Sequence, residues 1–143
     1  MPDYSICATA PNKLYTNARE LFATAQLDWT SGNWAAALLS AAYVPNIDTH
    51  KNVSDLTGVL ATSSFLQNKT AIGGFLKSDT ITFAALDTGG VPITQIVFYK
   101  DLASDPASLL VVHISDAFGL PVIGLGDDLI LSSDASFGGW VRL

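Results

Sequence analysis

The sequence predicts a mainly β protein, an antiparallel β-sandwich or barrel-like fold with one short N-terminal α-helix. Three observations carry this. Short segments dense in Val, Ile, Thr, Phe and Tyr recur along the chain. Glycine, proline and aspartate clusters punctuate them at regular spacing: Gly73-Gly74, Asp87-Thr88-Gly89-Gly90, Asp105-Pro106, Gly119-Leu120-Pro121 and Gly138-Gly139. Only one stretch has helical periodicity.

That stretch is Asn12 to Gln26. Leu14, Ala18, Leu21, Phe22 and Ala25 recur three and four residues apart, while Lys13, Asn17, Arg19 and Glu20 take the other side. Asn12 is placed to cap it, its side-chain oxygen accepting an orphan backbone N–H. After the turn at Asp28 and Ser31-Gly32, Asn33 to Leu39 reads as a buried strand; its alanines permit helix, but its shortness favours extension. Val59 to Leu66 and Thr80 to Ala84 follow as strands. Ile93 to Tyr99 and Leu109 to Ile114 give the strongest strand signals, and Asp128 to Ser132 and Gly139 to Leu143 close the chain. Thr62 to Thr70, rich in Thr, Ser and Asn, reads as a solvated strand-loop-strand. The division is an extended N-terminal arm over 1–11 and a single β-rich domain over 12–143, with no internal repeat.

Composition bounds the function. The chain has 143 residues, long enough for one domain that buries roughly two-thirds of its unfolded surface. It is 49% hydrophobic and 14% charged, with a mean hydropathy of +0.35. The longest uncharged segment, Trp29 to Ile47, is broken by Gly32, Asn33, Pro45 and Asn46, which excludes a membrane helix. Met1 to Ala10 carries Asp3 and no basic region, so it does not read as a secretory signal. On that ground Asn52-Val53-Ser54 and Asn68-Lys69-Thr70 read as chance matches to the glycosylation pattern. A formal charge of -6 repels phosphate, so direct nucleic-acid and anionic-membrane partners are not expected.

The residues that do chemistry are sparse. One cysteine, Cys7, excludes an intrachain disulfide and a multi-cysteine zinc site. It lies in an extended segment and reads as a small hydrophobe rather than a nucleophile. His113, inside an apolar strand, reads as a satisfied core histidine. His50, in Asp48-Thr49-His50-Lys51, reads as a loop residue with a pH-sensitive contact open to it. Asp127-Asp128 opens a strand, where adjacent side chains point to opposite faces, so a shared acid–base pair is not expected. Asp101 and Asp105 read as turn caps, without the ligand order of an EF-hand. No Gly-x-Ser-x-Gly elbow is present, and Gly124-Leu125-Gly126 reads as a turn rather than a dinucleotide loop. No catalytic, cofactor or metal residues are assigned, and no enzymatic activity is expected. Trp29, Trp34, Trp140, Phe98, Tyr99 and Phe137 read as a core cluster, with subunit contacts as the alternative.

Several phrases in order resemble a family. They are Lys13-Leu14-Tyr15, Arg19-Glu20-Leu21-Phe22, Leu27-Asp28-Trp29, Ala37-Leu38-Leu39, Asp48-Thr49-His50 and Ser54-Asp55-Leu56. Val59-Leu60-Ala61-Thr62, Ile96-Val97-Phe98-Tyr99-Lys100-Asp101, Gly119-Leu120-Pro121-Val122 and Asp127-Asp128-Leu129-Ile130-Leu131 continue the series. Together they resemble the small β-rich structural proteins of tailed-bacteriophage virions. Asn68-Lys69-Thr70 stands where such proteins commonly have Gly-Lys-Thr.

The resemblance implies a virion location and a capsid decoration or cement role, with the major capsid protein and further copies of the chain, as trimer or dimer, as partners. The alternative it implies is a tail, baseplate or fibre component binding a host-surface glycan. Partner contacts are expected at the two termini: Tyr4 and Ile6 in the arm, and Trp140, Val141 and Leu143 in the last strand. An apolar extended segment can add a strand to a neighbour's sheet.

Overall fold

Val, Ile, Leu and aromatic side chains extend the chain wherever the sequence concentrates them. The result, in a computed structural model that describes residues 4–8, 13–103, 107–115, 117–133 and 140–142, is a mainly β protein. Among the described residues there are twelve strands and one α-helix, the latter at Thr16–Ala23 (α1). The strands are Tyr4–Ala8 (β1), Lys13–Leu14 (β2), Asn33–Leu39 (β3), Val59–Thr62 (β4), Thr70–Ile72 (β5) and Phe75–Lys77 (β6). Ile81–Asp87 (β7), Gln95–Asp101 (β8), Leu109–Ile114 (β9), Ala117–Phe118 (β10), Leu125–Ser133 (β11) and Val141–Arg142 (β12) complete the set.

They form three sheets, ordered β2-β9-β8-β3-β4, β10-β1-β11-β7 and β12-β6-β5. Pairing is antiparallel throughout except between β1 and β11, which run parallel with Tyr4 opposite Leu129 and Ile6 opposite Leu131.

The five-stranded sheet is the centre of the molecule. Register puts Ala36, Phe98 and Val112 on one face and Ala37, Val97 and His113 on the other. Nearly every residue of β3, β8 and β9 is buried. A strand covered on both faces needs no polar alternation, which is why these segments read as continuous apolar runs. The first face meets Trp29, which crosses Trp34 at a ring separation of 4.9 Å, and Trp140, which meets Phe98 edge-on at 5.0 Å. The Trp29 indole N–H donates to the Lys77 carbonyl at 2.9 Å, tying β6 to the same cluster.

β7 is buried on one side only, with Ile81 and Phe83 inward and Thr82 and Ala84 outward. The alternation breaks at Ala85, whose φ is +47° and whose N–H donates to Asp128 Oδ1 at 2.8 Å. This irregularity kinks an edge strand that would otherwise offer a straight ladder to a neighbour.

The expected helix is shorter than its periodicity suggests. Lys13 and Leu14 are drawn into β2 by pairing with His113 and Val112, so the helix starts at Thr16. Asn12, the expected cap, lies outside the described residues; Tyr15 occupies the cap position without a side-chain cap bond. Of the expected extended arm of 1–11, Tyr4–Ala8 is a strand lying between β10 and β11, and the rest lies outside the described residues.

Candidate functional site

Of the expected terminal contact residues, Tyr4, Ile6, Trp140 and Val141 are taken up by the chain's own fold. Tyr4 and Ile6 lie in a strand whose backbone pairs along its full length with β11. Trp140 and Val141 are buried in the chain's own core, at 0% and 2% exposure. The Trp140 indole N–H donates to Ser78 Oγ at 2.8 Å, and its backbone N–H to the Leu76 carbonyl at 2.8 Å. A tryptophan with its polar handle satisfied inside the protein is a core anchor, and Trp140 and Val141 both pack in the core of the chain. Leu143 lies outside the described residues.

An apolar groove remains at the surface, lined by Pro92, Pro121, Val122, Ile123 and Leu125, with a cavity volume of about 350 Å³. No charged side chain lines it. Leu125 is 65% exposed on its rim, and Val91, next to Pro92, is also exposed. A two-way backbone bridge between Ile93 and Val122 frames it, at 2.7 and 3.1 Å. Behind it, the Thr88 N–H donates to the Gly124 carbonyl and the Gly124 N–H to Thr88 Oγ1, both at 3.1 Å. Gly124 is required here because a Cβ would come within 2.7 Å of the Leu86 carbonyl oxygen. The groove is therefore built on a fixed frame. A second groove, of about 400 Å³, runs between α1 and β5–β6 and has one carboxylate, Asp28, on its wall. The hydroxyl and N–H of Thr30 hold that carboxyl below its usual range.

The opposite face of the central sheet carries a buried polar chain. Gln95 donates its amide N–H groups to the carbonyls of Ser40 and Tyr43, at 2.9 and 2.8 Å. Both amide hydrogens are thus committed, so the 2.8 Å contact between Gln95 Oε1 and His113 Nε2 requires an N–H on His113 Nε2. The rings of Tyr15 and Tyr43 stand 6.5 and 6.2 Å from that of His113. Their hydroxyls meet at 2.7 Å, and Tyr43 Oη lies 2.9 Å from His50 Nδ1. Burial pushes the Tyr15 phenol far above its ordinary range, and the bond to Tyr43 adds to this. Tyr43 is raised by burial too, with its bond to Tyr15 opposing. Neither phenol is a base at neutral pH, and both are sealed from solvent.

Placement of the other sequence candidates follows. His113 is a buried core residue satisfied by Gln95. His50 is half-buried at the end of the Tyr15–Tyr43 chain. Trp29, Trp34, Phe98 and Trp140 form the aromatic core, whereas Phe137 lies outside the described residues. Asp128 holds the irregular turn of β7, and Asp101 accepts the Ala103 N–H; Asp105 lies outside the described residues. Among the described residues no three His, Cys, Asp or Glu side chains converge as a metal site, and no helix is long and apolar enough to cross a membrane. Gln95, Tyr15 and Tyr43 escaped sequence reasoning, because nothing local in the sequence shows that distant polar groups meet.

The fold defines a mainly β protein with antiparallel sheets and a single short helix. Compared with protein-family models, with curated proteins and with solved structures, the chain matches none.

Proposed function

We propose that the chain is a structural protein of a tailed-phage virion, and specifically a decoration or cement protein of the capsid. The observation that carries the reading is the framed apolar groove at Pro92, Pro121, Val122, Ile123 and Leu125. An uncharged concavity with exposed apolar rims gains most by covering, since each Å² of apolar surface removed from water contributes about 25 cal/mol. The resemblance in sequence supplies the partner, the major capsid protein, and repetition over a symmetric shell lets modest individual contacts add. The net charge of -6 favours a protein neighbour over packaged nucleic acid.

The test is sedimentation of the purified chain with emptied, expanded phage heads and, separately, with tails. The wild-type chain is expected to pellet with heads and to raise their disruption temperature. Leu125→Asp places a charge on the groove rim, and binding is expected to fall at least tenfold while the fold persists. Pelleting with tails alone, or head binding untouched by the substitution, sinks the proposal.

A further inference from the structure

The segment from Ser40 to His50, between β3 and the 3-10 turn Val53–Asp55, is held largely by side chains rather than by strand pairing. Gln95 grips its first half through the Ser40 and Tyr43 carbonyls. Asn46 Oδ1 accepts the N–H groups of Asp48 and Thr49, and Asp48 Oδ1 accepts the Thr16 hydroxyl at 2.7 Å. Its tip presents Val44 at 78% exposure, followed by Pro45. His50 closes it.

One backbone group fixes every proton along this chain. The Asn46 N–H points at His50 Nδ1, 3.2 Å away, and a backbone N–H can only donate. Nδ1 therefore holds a lone pair, and the ring proton is on Nε2. The Tyr43 hydroxyl, 2.9 Å from the same Nδ1, must then donate to it. That leaves Tyr43 oxygen as the acceptor for Tyr15, whose hydroxyl donates at 2.7 Å from a fully buried position. The direction is Tyr15 to Tyr43 to His50, and it has no second arrangement while Asn46 points at Nδ1.

We propose that His50 is a proton-operated latch on this loop: protonation at Nδ1 removes the acceptor of the Asn46 N–H, reverses the bond to Tyr43 and releases the Val44–Pro45 tip. A solvent proton forms an N–H bond at Nδ1, and no other bond need break. The new N–H then faces the Asn46 N–H, donor against donor. The Tyr43 hydroxyl must turn its hydrogen away and accept from Nδ1–H instead, so the buried Tyr15–Tyr43 pair has to reorient with it. The charged groups around the ring act in the same sense. Asp55 of the 3-10 turn attracts the imidazolium through space, while its Oδ2 is occupied by the N–H groups of Lys51 and Asn52 at 2.9 and 3.1 Å. It draws the charged ring toward the turn without restoring the lost acceptor. Asp48 is engaged with Thr16, Lys51 is exposed, and His113 on β9 faces the two tyrosines with its Nε2 hydrogen committed to Gln95. This latch is independent of the virion reading.

The experiment is nitrogen-15 NMR on the full chain, with amide exchange at pH 7.5 and pH 5 corrected for intrinsic rates. At pH 8 the His50 ring is expected as the Nε2–H tautomer. Protection of the amides at 43–50 is expected to fall at least tenfold at pH 5, with β3, β8 and β9 unchanged. His50→Asn can place an amide oxygen near the Nδ1 position and does not titrate, so it should keep its protection at both pH values. An Nδ1–H tautomer at pH 8, or equal protection of the wild-type loop at both pH values, overturns the proposal. So does an undiminished pH response in His50→Asn, which would assign the effect to Asp48 and Asp55.

Discussion

Trp140 is where the fold and the expectation of a terminal contact strand make opposite demands, so its substitution separates them. The side chain is fully buried, its ring lies 5.0 Å from that of Phe98, and its indole N–H is bonded to Ser78 Oγ. Trp140→Ala removes the ring from the junction between the five-stranded sheet and the β12-β6-β5 sheet. Truncations of this kind cost about 3–5 kcal/mol, because lost transfer energy is joined by a cavity that neighbours refill only in part. For a domain near this length that corresponds to a fall in Tm of roughly 6–20 °C. Trp140→Phe keeps most of the apolar bulk and loses the hydrogen bond of about 1 kcal/mol, so it should fall between. Urea denaturation of the dilute monomer measures both, with the m-value reporting whether the unfolding unit is unchanged. A loss below about 1 kcal/mol in Trp140→Ala, accompanied by loss of self-association, would refute the core assignment and restore the contact strand.

Gln95→Leu fits the same volume but strands three partners: the carbonyls of Ser40 and Tyr43 and the Nε2–H of His113. At about 1–3 kcal/mol for each orphaned buried group, a loss of at least 3 kcal/mol is expected in chemical denaturation. Asp55 is held below its unfolded value of 3.8, first by the N–H groups of Lys51 and Asn52. Its folded pKa is depressed, so its contribution is complete above pH 3.8 and is lost as the pH falls through the folded value. Asp55→Ala should therefore cost about 1 kcal/mol at pH 7, the loss of one cap, and progressively less as the pH falls below 3.8, read from urea midpoints.

Much of the fold was legible because apolar runs are local. Asn33–Leu39 and Leu109–Ile114 match the sequence reading residue for residue, since turns bound them on both sides. The β5–β6 hairpin was missed. Its strands are three residues each, β5 is fully exposed, and only Gly73-Gly74 announced a turn. The helix was drawn too long for a different reason. Leu14 fits the helical stripe but gains more by pairing with Val112 in the sheet, a choice made by tertiary contact rather than propensity. Sites fared worse. His50 and His113 were visible as residues, but the groups that fix their tautomers, the Asn46 N–H and the Gln95 amide oxygen, come from separate parts of the chain and leave no spacing to find.

The high hydropathy of the chain has a specific physical cause. A sheet with one wet face needs apolar residues at alternate positions, whereas β3, β8 and β9 are covered on both faces and need them nearly everywhere. Tyr15 and Tyr43 lie against His113 on one side, and Trp29, Trp140 and Phe22 of α1 pack on Trp34 and Phe98 on the other. Trp140 supplies part of that second cover, its ring reaching Phe98. Trp140 and Val141 near the C-terminus and the apolar central strands thus belong to one core. What is left for a partner is not the greasiest sequence but the apolar surface the core cannot use. The exposed rim of Leu125 beside Pro92 and Pro121 meets that description, and the buried Trp140 and Val141 do not.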